Sequence, residues 1–158
     1  MNINQVKDTL SKEENVEPKP YYDTKHILTI GVGHNMIAKP LPENMQQYLN
    51  TNGQITMEMV DQLLEADIND GLKDCYKLFP EFDNFSENRQ QALFDVTYNM
   101  GEWKIQNGFP RFVHNVNIGD WEGAGKELEF FDGKSIISGY VKDVGVRAYH
   151  NIQLLQEG

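Results

Sequence analysis

The sequence has a single cysteine, Cys75, among 158 residues. One cysteine cannot form an intrachain disulfide, so a small secreted fold held by disulfide bridges is excluded. The first residues lack the basic start and apolar run of a signal peptide, and no later apolar stretch is long enough to span a membrane. We therefore expect synthesis in a reducing cytoplasm, no membrane insertion, and export only with the help of another factor.

Positive charge is also scarce, since 14 Lys and Arg stand against 24 Asp and Glu, for a formal net charge of −10. A charge of this sign repels phosphate backbones and anionic lipid surfaces, which argues against nucleic acid and membrane partners. The length and the 39% hydrophobic fraction allow one globular domain with its own core. We expect that domain to be a monomer.

A small, irregular lobe is predicted at the N-terminal end. Residues 2–14 carry apolar side chains at helical spacing, and two prolines shortly afterwards end that helix. Residues 21–33 are rich in aromatic and β-branched side chains around a polar turn, which is typical of a short antiparallel hairpin. Residues 40–53 carry prolines, asparagines and a final glycine, and this pattern predicts a loop with one weak helical turn.

A long helix and a helical cluster follow. Thr56 can cap a helix whose apolar residues recur every three or four positions as far as Pro80. At about 1.5 Å per residue, a helix of roughly 23 residues would reach about 35 Å, which is long enough to join two lobes. Further helices are predicted over residues 86–100, 110–116, 121–130 and 141–155.

Two carboxylates and a hydroxyl lie between the end of the first helix and the returning strand. Glu14 ends the helix, Asp23 stands at the hairpin turn, and Thr29 lies on the strand that returns. Glycosidic hydrolysis needs a protonated acid that helps the leaving oxygen depart and an ionised group that activates water or stabilises positive charge. The segment is therefore a candidate glycosidase site, although helical phase alone does not choose between Glu13 and Glu14.

The spacing of these residues resembles that of the phage-type lysozymes, glycoside hydrolase family twenty-four. The family pattern is a glutamate that ends the first helix, eight intervening residues, an aspartate, five more residues, and Thr-Ile-Gly-x-Gly-His. Glu14, Asp23 and the run from Thr29 to His34 match every spacing, which favours Glu14 over Glu13. The similarity continues in Asn52-Gly53-Gln54-Ile55-Thr56, in Asn99-Met100-Gly101-Glu102 and in Gly108-Phe109.

The resemblance implies an α+β, lysozyme-like fold. A small N-terminal lobe with a β-hairpin would span about 12–58, and a long connecting helix would lead to a helical lobe of about 80–158 that also takes in the first helix. A glycan groove would lie between the lobes. The implied reaction is hydrolysis of the β-1,4 bond between N-acetylmuramic acid and N-acetylglucosamine in bacterial peptidoglycan, without metal or organic cofactor.

The resemblance also assigns roles to individual residues. Glu14 would be the general acid, with a pKa raised by partial burial, Asp23 would be the second carboxylate, and Thr29 would help to position the attacking water. Such enzymes invert the anomeric centre, which predicts carboxyl groups roughly 6.5 to 9.5 Å apart. Asn35 and Tyr98 occupy positions where relatives contact sugar or place an aromatic ring at the groove.

The implied setting is a bacteriophage or prophage. The chain would be made in the host cytoplasm and would reach the wall as an endolysin after release, or it would be carried in the virion as a lysin.

One polar pair is predicted for a structural reason. Asp67 falls within the apolar stripe of the long helix, where an unpaired carboxylate is costly. His34, arriving from the hairpin, is its natural partner. The resemblance implies that the two residues tie the lobes together, so we assign them to stability and not to catalysis.

Two other interpretations stay open, and two more are not supported. A lytic transglycosylase attacks the same bond and needs only the glutamate, and a non-catalytic wall-binding or virion structural domain could keep the fold. The four histidines and Cys75 lack compact ligand spacing, so no metal site is predicted. Gly31 and Gly33 lack the third glycine and the helix start of a phosphate-binding loop, and close backbone packing explains them better.

Overall fold

The computed structural model of the chain describes residues 1–13 and 15–158, with the backbone alone at Glu13. The chain divides into two compact units, one of residues 2–69 and one of residues 70–158 together with Met1. The first helix belongs to the unit of residues 2–69, whereas the sequence-based division joined it to the helical lobe. The lobe bounds inferred from the sequence remain a prediction.

The unit of residues 2–69 contains the small sheet. Its elements are α1 (Ile3–Glu13), β1 (Val16–Tyr22), β2 (Leu28–Val32), β3 (His34–Asn35), α2 (Glu43–Asn52) and the first part of α3 (Met57–Leu78). The strands are antiparallel in the order β1-β2-β3. The α+β class predicted from the sequence is confirmed by this sheet and by the helices that make up most of the remaining chain. The hairpin begins at Val16, earlier than the sequence pattern indicated.

A bulge in β1 explains how this strand accommodates two prolines, Pro18 and Pro20. The paired residues on either side of it are Glu17 with Gly31 and Tyr21 with Thr29. Residues 18–20 therefore face a single residue of β2, Ile30. Pro18 and Pro20 donate no backbone hydrogen bond, and such residues are tolerated in edge strands and bulges. The carbonyl of Pro18 accepts the N–H of Ile55 at 3.0 Å, so the bulge is tied to the chain just before α3.

The prediction of a loop over residues 40–53 is wrong, because this segment contains the ten-residue helix α2. Met45 and Leu49 are four residues apart and both are buried, so they form one apolar face. Pro42 stands just before the first turn, where the helix loses no hydrogen bond. Gly53 ends α2 with a φ of 73°, the left-handed conformation common at helix C-termini.

The unit of residues 70–158 is helical. After the end of α3 it contains a short 3-10 turn (Phe82–Asn84), α4 (Glu87–Met100), α5 (Glu102–Gly108), α6 (Pro110–Ile118), α7 (Trp121–Glu129), α8 (Gly139–Val144) and α9 (Val146–Glu157). The side chains of Ser86 and Asp120 cap α4 and α7 by accepting backbone N–H groups. Gly145, with φ 65° and ψ −130°, divides the last predicted helix into α8 and α9.

Each unit buries its own apolar side chains. Ile30, Val60 and Ile68 are among those buried in the unit of residues 2–69, and Phe79, Leu93 and Phe112 in the other. Phe79 and Phe112 meet edge to face with ring centroids 6.0 Å apart. None of the helices in the described part of the chain is long and apolar enough to cross a membrane.

Gly31 gives a direct test of the sheet geometry. Its φ is +67°, and an added Cβ would lie 3.6 Å from a methyl group of Val60, so the backbone conformation rather than space is the obstacle. We expect Gly31→Ala to lower the free energy of unfolding by about 1–2 kcal/mol, the cost of a left-handed L residue. Urea denaturation measures the change.

Gly108→Ala is the matched control for that substitution. Gly108 has no positive φ and nothing within 4 Å of an added Cβ, so the same change should leave stability equal or slightly higher. Equal losses for both variants would contradict the strain assigned to Gly31.

Candidate active site

Asp23 lies in the turn between β1 and β2, where it is half-buried. Its Oδ1 accepts hydrogen bonds from the backbone N–H groups of Lys25 and Ile27, each at 2.8 Å. The Asp23 carbonyl accepts the N–H of His26 at 3.0 Å, and His26 has a φ of 58°, which few residues other than glycine adopt. The turn thus fixes the carboxylate by one oxygen, and within the described residues Oδ2 accepts no hydrogen bond.

Thr29 is oriented by the same turn. It lies on β2 with 3% of its surface exposed, and its hydroxyl donates to the carbonyl of Ile27 at 2.8 Å. Because the N–H of Ile27 binds Asp23, the two backbone groups of Ile27 hold both polar side chains. The Thr29 oxygen keeps its lone pairs, so it can accept a hydrogen bond from water. Sequence reasoning missed Ile27, since its contribution comes from backbone groups that residue type does not reveal.

Glu14, predicted as the general acid, lies outside the described residues. Its separation from Asp23 therefore remains a prediction. Asn15 follows it in the chain and is exposed, and β1 begins at the next residue. Along the chain, β1 is the segment that joins the two predicted carboxylates.

The predicted sugar-contacting residues lie in different units. Asn35 pairs with Thr29 across β2 and β3, and its Oδ1 accepts the N–H groups of Ile37 and Ala38 at 3.0 and 2.9 Å. Its amide nitrogen remains as the donor that could meet a ligand. Tyr98 lies on α4, partly buried, with its ring centroid 5.5 Å from that of Phe94. In the structure Tyr98 packs against Phe94 and Asn35 stabilises a turn. The contacts of both residues with sugar remain predictions.

His34 and Asp67 are brought together inside the unit of residues 2–69. His34 Nδ1 lies 2.8 Å from Asp67 Oδ2, and both residues are buried. The other ring nitrogen, Nε2, lies 2.8 Å from the carbonyl oxygen of Lys39, whose ammonium group is 3.3 Å from Asp67 Oδ1. Only a doubly protonated imidazole can donate to both acceptors. The geometry therefore favours an imidazolium beside a carboxylate.

The pKa of His34 is raised above its ordinary value by this arrangement. Burial, the largest single influence, lowers the pKa, but the hydrogen bond and the charge of Asp67 together with the Lys39 carbonyl outweigh it. A pKa that is higher in the folded than in the unfolded chain gives stability that is fully present below about pH 6.5. That stability is lost as the pH rises through the folded pKa.

Asp67→Asn tests the pair. We expect the free energy of unfolding at pH 6 to fall by about 3 kcal/mol, because one partner of a buried ion pair is removed. The difference from the wild type should shrink as the pH rises above the folded pKa of His34, where the imidazole is neutral in both proteins. Urea titrations between pH 5.5 and 10 measure this difference.

Asp61→Asn is the control on the same helix. Asp61 is exposed and pairs with Lys7 at 3.1 Å, so the same chemical change should cost under about 1 kcal/mol and vary little over this pH range. A cost for Asp67→Asn that stays flat or grows with pH would contradict the charged pair.

A second polar cluster lies in the unit of residues 70–158, where the sequence analysis identified none. Asp95 on α4 accepts two hydrogen bonds from the guanidinium of Arg147, one of them from Nε at 2.9 Å. Asn151 donates to Asp95 and to the hydroxyl of Tyr140, the latter at 2.8 Å. Burial raises the pKa of Tyr140, so its hydroxyl stays protonated. The cluster joins α4, α8 and α9. Residue spacing does not reveal it, because Asp95 and Arg147 are far apart in the chain.

Among the side chains that the structure describes, no three His, Cys, Asp or Glu residues lie close enough together to hold a metal ion. Cys75 is fully buried, and burial raises the pKa of its thiol to about 12. At neutral pH the thiol is therefore protonated, which makes it a poor nucleophile and a poor ligand.

Comparison with known proteins shows which protein family the chain belongs to. The model of the phage lysozyme family matches residues 11–143, so the chain belongs to the phage lysozyme family, as the spacing from Glu14 to His34 indicated. Among curated proteins it is similar to the pre-baseplate central spike protein Gp5 of Enterobacteria phage T4. The two are 29% identical over an alignment of 133 residues, and the match covers 75% of this chain and 23% of the spike protein. The chain thus spans about a quarter of that relative's length.

Proposed function

We propose that the chain is a muramidase that hydrolyses the β-1,4 bond between N-acetylmuramic acid and N-acetylglucosamine in peptidoglycan. Membership of the phage lysozyme family supports a lysozyme-like function. The observation that carries the proposal is the β1–β2 turn, in which Ile27 orients both the Asp23 carboxylate and the Thr29 hydroxyl. A carboxylate and a water acceptor held by one rigid turn are the parts that the water-activating side of an inverting glycosidase requires.

The proposed mechanism uses three side chains. Glu14 gives its proton to the glycosidic oxygen as the bond to the anomeric carbon breaks. Water attacks that carbon from the opposite face of the ring, donating one hydrogen bond to Thr29 Oγ1. The Asp23 carboxylate stabilises the positive charge that develops on the sugar and receives the proton that the water releases.

Glu14→Gln and Glu13→Gln form a matched pair that tests the acid. Both remove one negative charge at adjacent positions, but only the first removes the proposed proton donor. We expect Glu14→Gln to lower the rate of clearing of a peptidoglycan suspension by about 10³-fold, while Glu13→Gln clears at the wild-type rate. Turbidity measurements on purified walls give both rates.

The outcomes of that experiment separate the alternatives. Equal rates for the two variants would overturn the assignment of Glu14. Wild-type protein that binds walls and never clears them would favour a wall-binding or structural domain. Anhydromuramyl ends in the products, detected by mass spectrometry, would identify a lytic transglycosylase.

Inversion at the anomeric carbon gives a separate prediction. Water that attacks opposite the leaving group converts the β-linkage into an α-configured reducing end. Proton NMR of soluble glycan fragments should therefore show the α-anomer before mutarotation, and initial formation of the β-anomer would show retention instead.

We also propose that the protein acts as a virion-associated lysin rather than as a free endolysin. The support is its similarity to a protein named as a central spike, of which this chain matches about a quarter. If the protein is carried in the virion, proteomic analysis of purified phage particles should detect it. Detection of the protein only in the lysate supernatant, and not in the particles, would favour the endolysin role.

A further inference from the structure

One residue of the turn that holds Asp23 has a backbone conformation that its side chain does not favour. His26 has a φ of 58°, and every other residue with a positive φ in the described part of the chain is a glycine. In the left-handed region a Cβ lies too close to the following carbonyl oxygen, so residues other than glycine adopt it at a cost in free energy. At His26 the residue type and the conformation therefore disagree.

The hydrogen bonds of the turn explain why residue 26 takes this conformation. The Asp23 carbonyl accepts the N–H of His26 at 3.0 Å, and the Asp23 N–H donates to the carbonyl of Ile27, also at 3.0 Å. The chain thus reverses over the three residues 24–26, and a hairpin loop of this length commonly ends in a left-handed residue, for which glycine is the usual choice. The turn dictates the φ of residue 26 but does not require an imidazole there.

The His26 side chain gains nothing from the rest of the described chain that would offset this cost. It is exposed, and within the described residues its imidazole forms no hydrogen bond or ion pair. His114 and His150 are exposed too, but they lie in α6 and α9 with ordinary φ values. The strained backbone thus distinguishes His26 from the other exposed histidines, and such strain is concentrated at functional positions of proteins.

The location of His26 indicates which function the side chain serves. It directly precedes Ile27, whose N–H binds Asp23 and whose carbonyl binds the Thr29 hydroxyl. Consecutive Cα atoms are about 3.8 Å apart, so the imidazole is attached next to the groups that orient both side chains. In the proposed mechanism the sugar ring that water attacks lies beside this turn, within reach of a side chain at residue 26.

The hydrogen-bonding capacity of the turn indicates what an imidazole adds. The Thr29 hydroxyl hydrogen is engaged with the Ile27 carbonyl, and the ionised Asp23 carboxylate has no hydrogen to donate. An imidazole carries at least one ring N–H in either protonation state. The hydroxyl and N-acetyl oxygens of an amino sugar are uncharged acceptors. His26 therefore supplies a donor to sugar that neither Asp23 nor Thr29 has.

We propose that His26 is a substrate-contacting residue whose imidazole donates a hydrogen bond to the N-acetylmuramic acid ring at which water attacks. This inference rests on the proposed muramidase function and adds to it a residue that determines substrate affinity. The reacting groups remain Glu14, Asp23 and Thr29, so loss of the His26 contact affects KM rather than kcat.

Two substitutions separate the contact from the conformation of the turn. Glycine and asparagine both adopt the left-handed conformation more readily than other residues, but only asparagine keeps a side-chain donor. We expect His26→Gly to raise KM on solubilised peptidoglycan strands about fivefold with kcat nearly unchanged, and His26→Asn to keep KM within about twofold of the wild type. A wild-type KM for His26→Gly, or a loss that falls on kcat alone, would overturn the proposal.

Thermal unfolding gives a second readout, with His114→Gly as the matched control. His26→Gly removes the strain and should raise Tm by about 2 °C, whereas His114→Gly places glycine inside α6 and should lower Tm by about 1–2 °C with KM unchanged. A lower Tm for His26→Gly would contradict the strain and overturn the proposal. A fivefold rise in KM for His114→Gly would show a general effect of imidazole loss and would also overturn it.

A binding experiment separates failure of this inference from failure of the muramidase function. The probe is a tetrasaccharide of alternating N-acetylglucosamine and N-acetylmuramic acid without peptide stems, titrated calorimetrically into Glu14→Gln and into the double variant Glu14→Gln/His26→Gly. We expect Kd to be about fivefold higher for the double variant. Equal Kd values, or no binding by either protein, would overturn the contact. A wild type that clears no walls would defeat the muramidase function alone, and the Kd comparison would then decide the role of His26.

Discussion

The buried ion pair between Asp67 and His34 is the interaction on which the small unit depends. Asp67 lies on the apolar side of α3, and His34 stands at the start of β3, so the pair attaches the sheet to the long helix. A carboxylate buried without a partner would cost several kcal/mol, and both Asp67 oxygens are met by cationic groups. A shift of the β2–β3 register by one residue would turn His34 to the other face of the sheet and leave Asp67 without it.

The position of the sheet in turn sets the position of the candidate site. With His34 fixed, β2 runs back through Thr29 to the turn that carries Asp23. The bulge in β1 takes up the extra residues that would otherwise displace this turn from its pairing with β2. The prolines within the bulge also remove two backbone donors from an edge strand, which makes that edge a poor template for pairing with another chain. The same residues thus place the turn and protect the strand that leads to it.

Much of the fold followed from patterns that act locally. The caps at Thr56, Ser86 and Asp120 are hydrogen bonds between residues close in the chain, and Pro80 and Gly101 end helices through their own backbone properties. Residue type and spacing therefore predicted the helices that they bound. The sequence pattern did not predict helix α2, because only two apolar residues four positions apart indicate it among prolines and asparagines, which are typical of loops. The break at Gly145 was missed because a glycine within an amphipathic pattern is compatible with either a continuous or a divided helix.

The candidate site was predictable only where a side chain carries the signal. The motif identified Asp23 and Thr29, but the turn that orients them is made by backbone groups of Lys25, His26 and Ile27, which any residue types would supply. The sequence did not predict that Lys39 contacts the buried pair, for a similar reason. Its carbonyl and its ammonium group lie in a loop, where residue types follow no periodic pattern. The link between Asp95 and Arg147 joins residues too distant in sequence for spacing to reveal it.

Two aspartates of one unit show how environment, and not residue type, separates the structural role of Asp67 from the chemical role proposed for Asp23. Asp67 is buried, and its oxygens are bound to His34 and Lys39, so its charge is neutralised and no oxygen is left for a ligand. Asp23 is half-buried and bound through one oxygen by peptide N–H groups, which orient the carboxylate without neutralising it. A charge that is held in place but not cancelled by a nearby cation is what stabilisation of a developing positive centre requires. The physical case for Asp23 as the acting carboxylate therefore lies in what surrounds it as much as in its place in the motif.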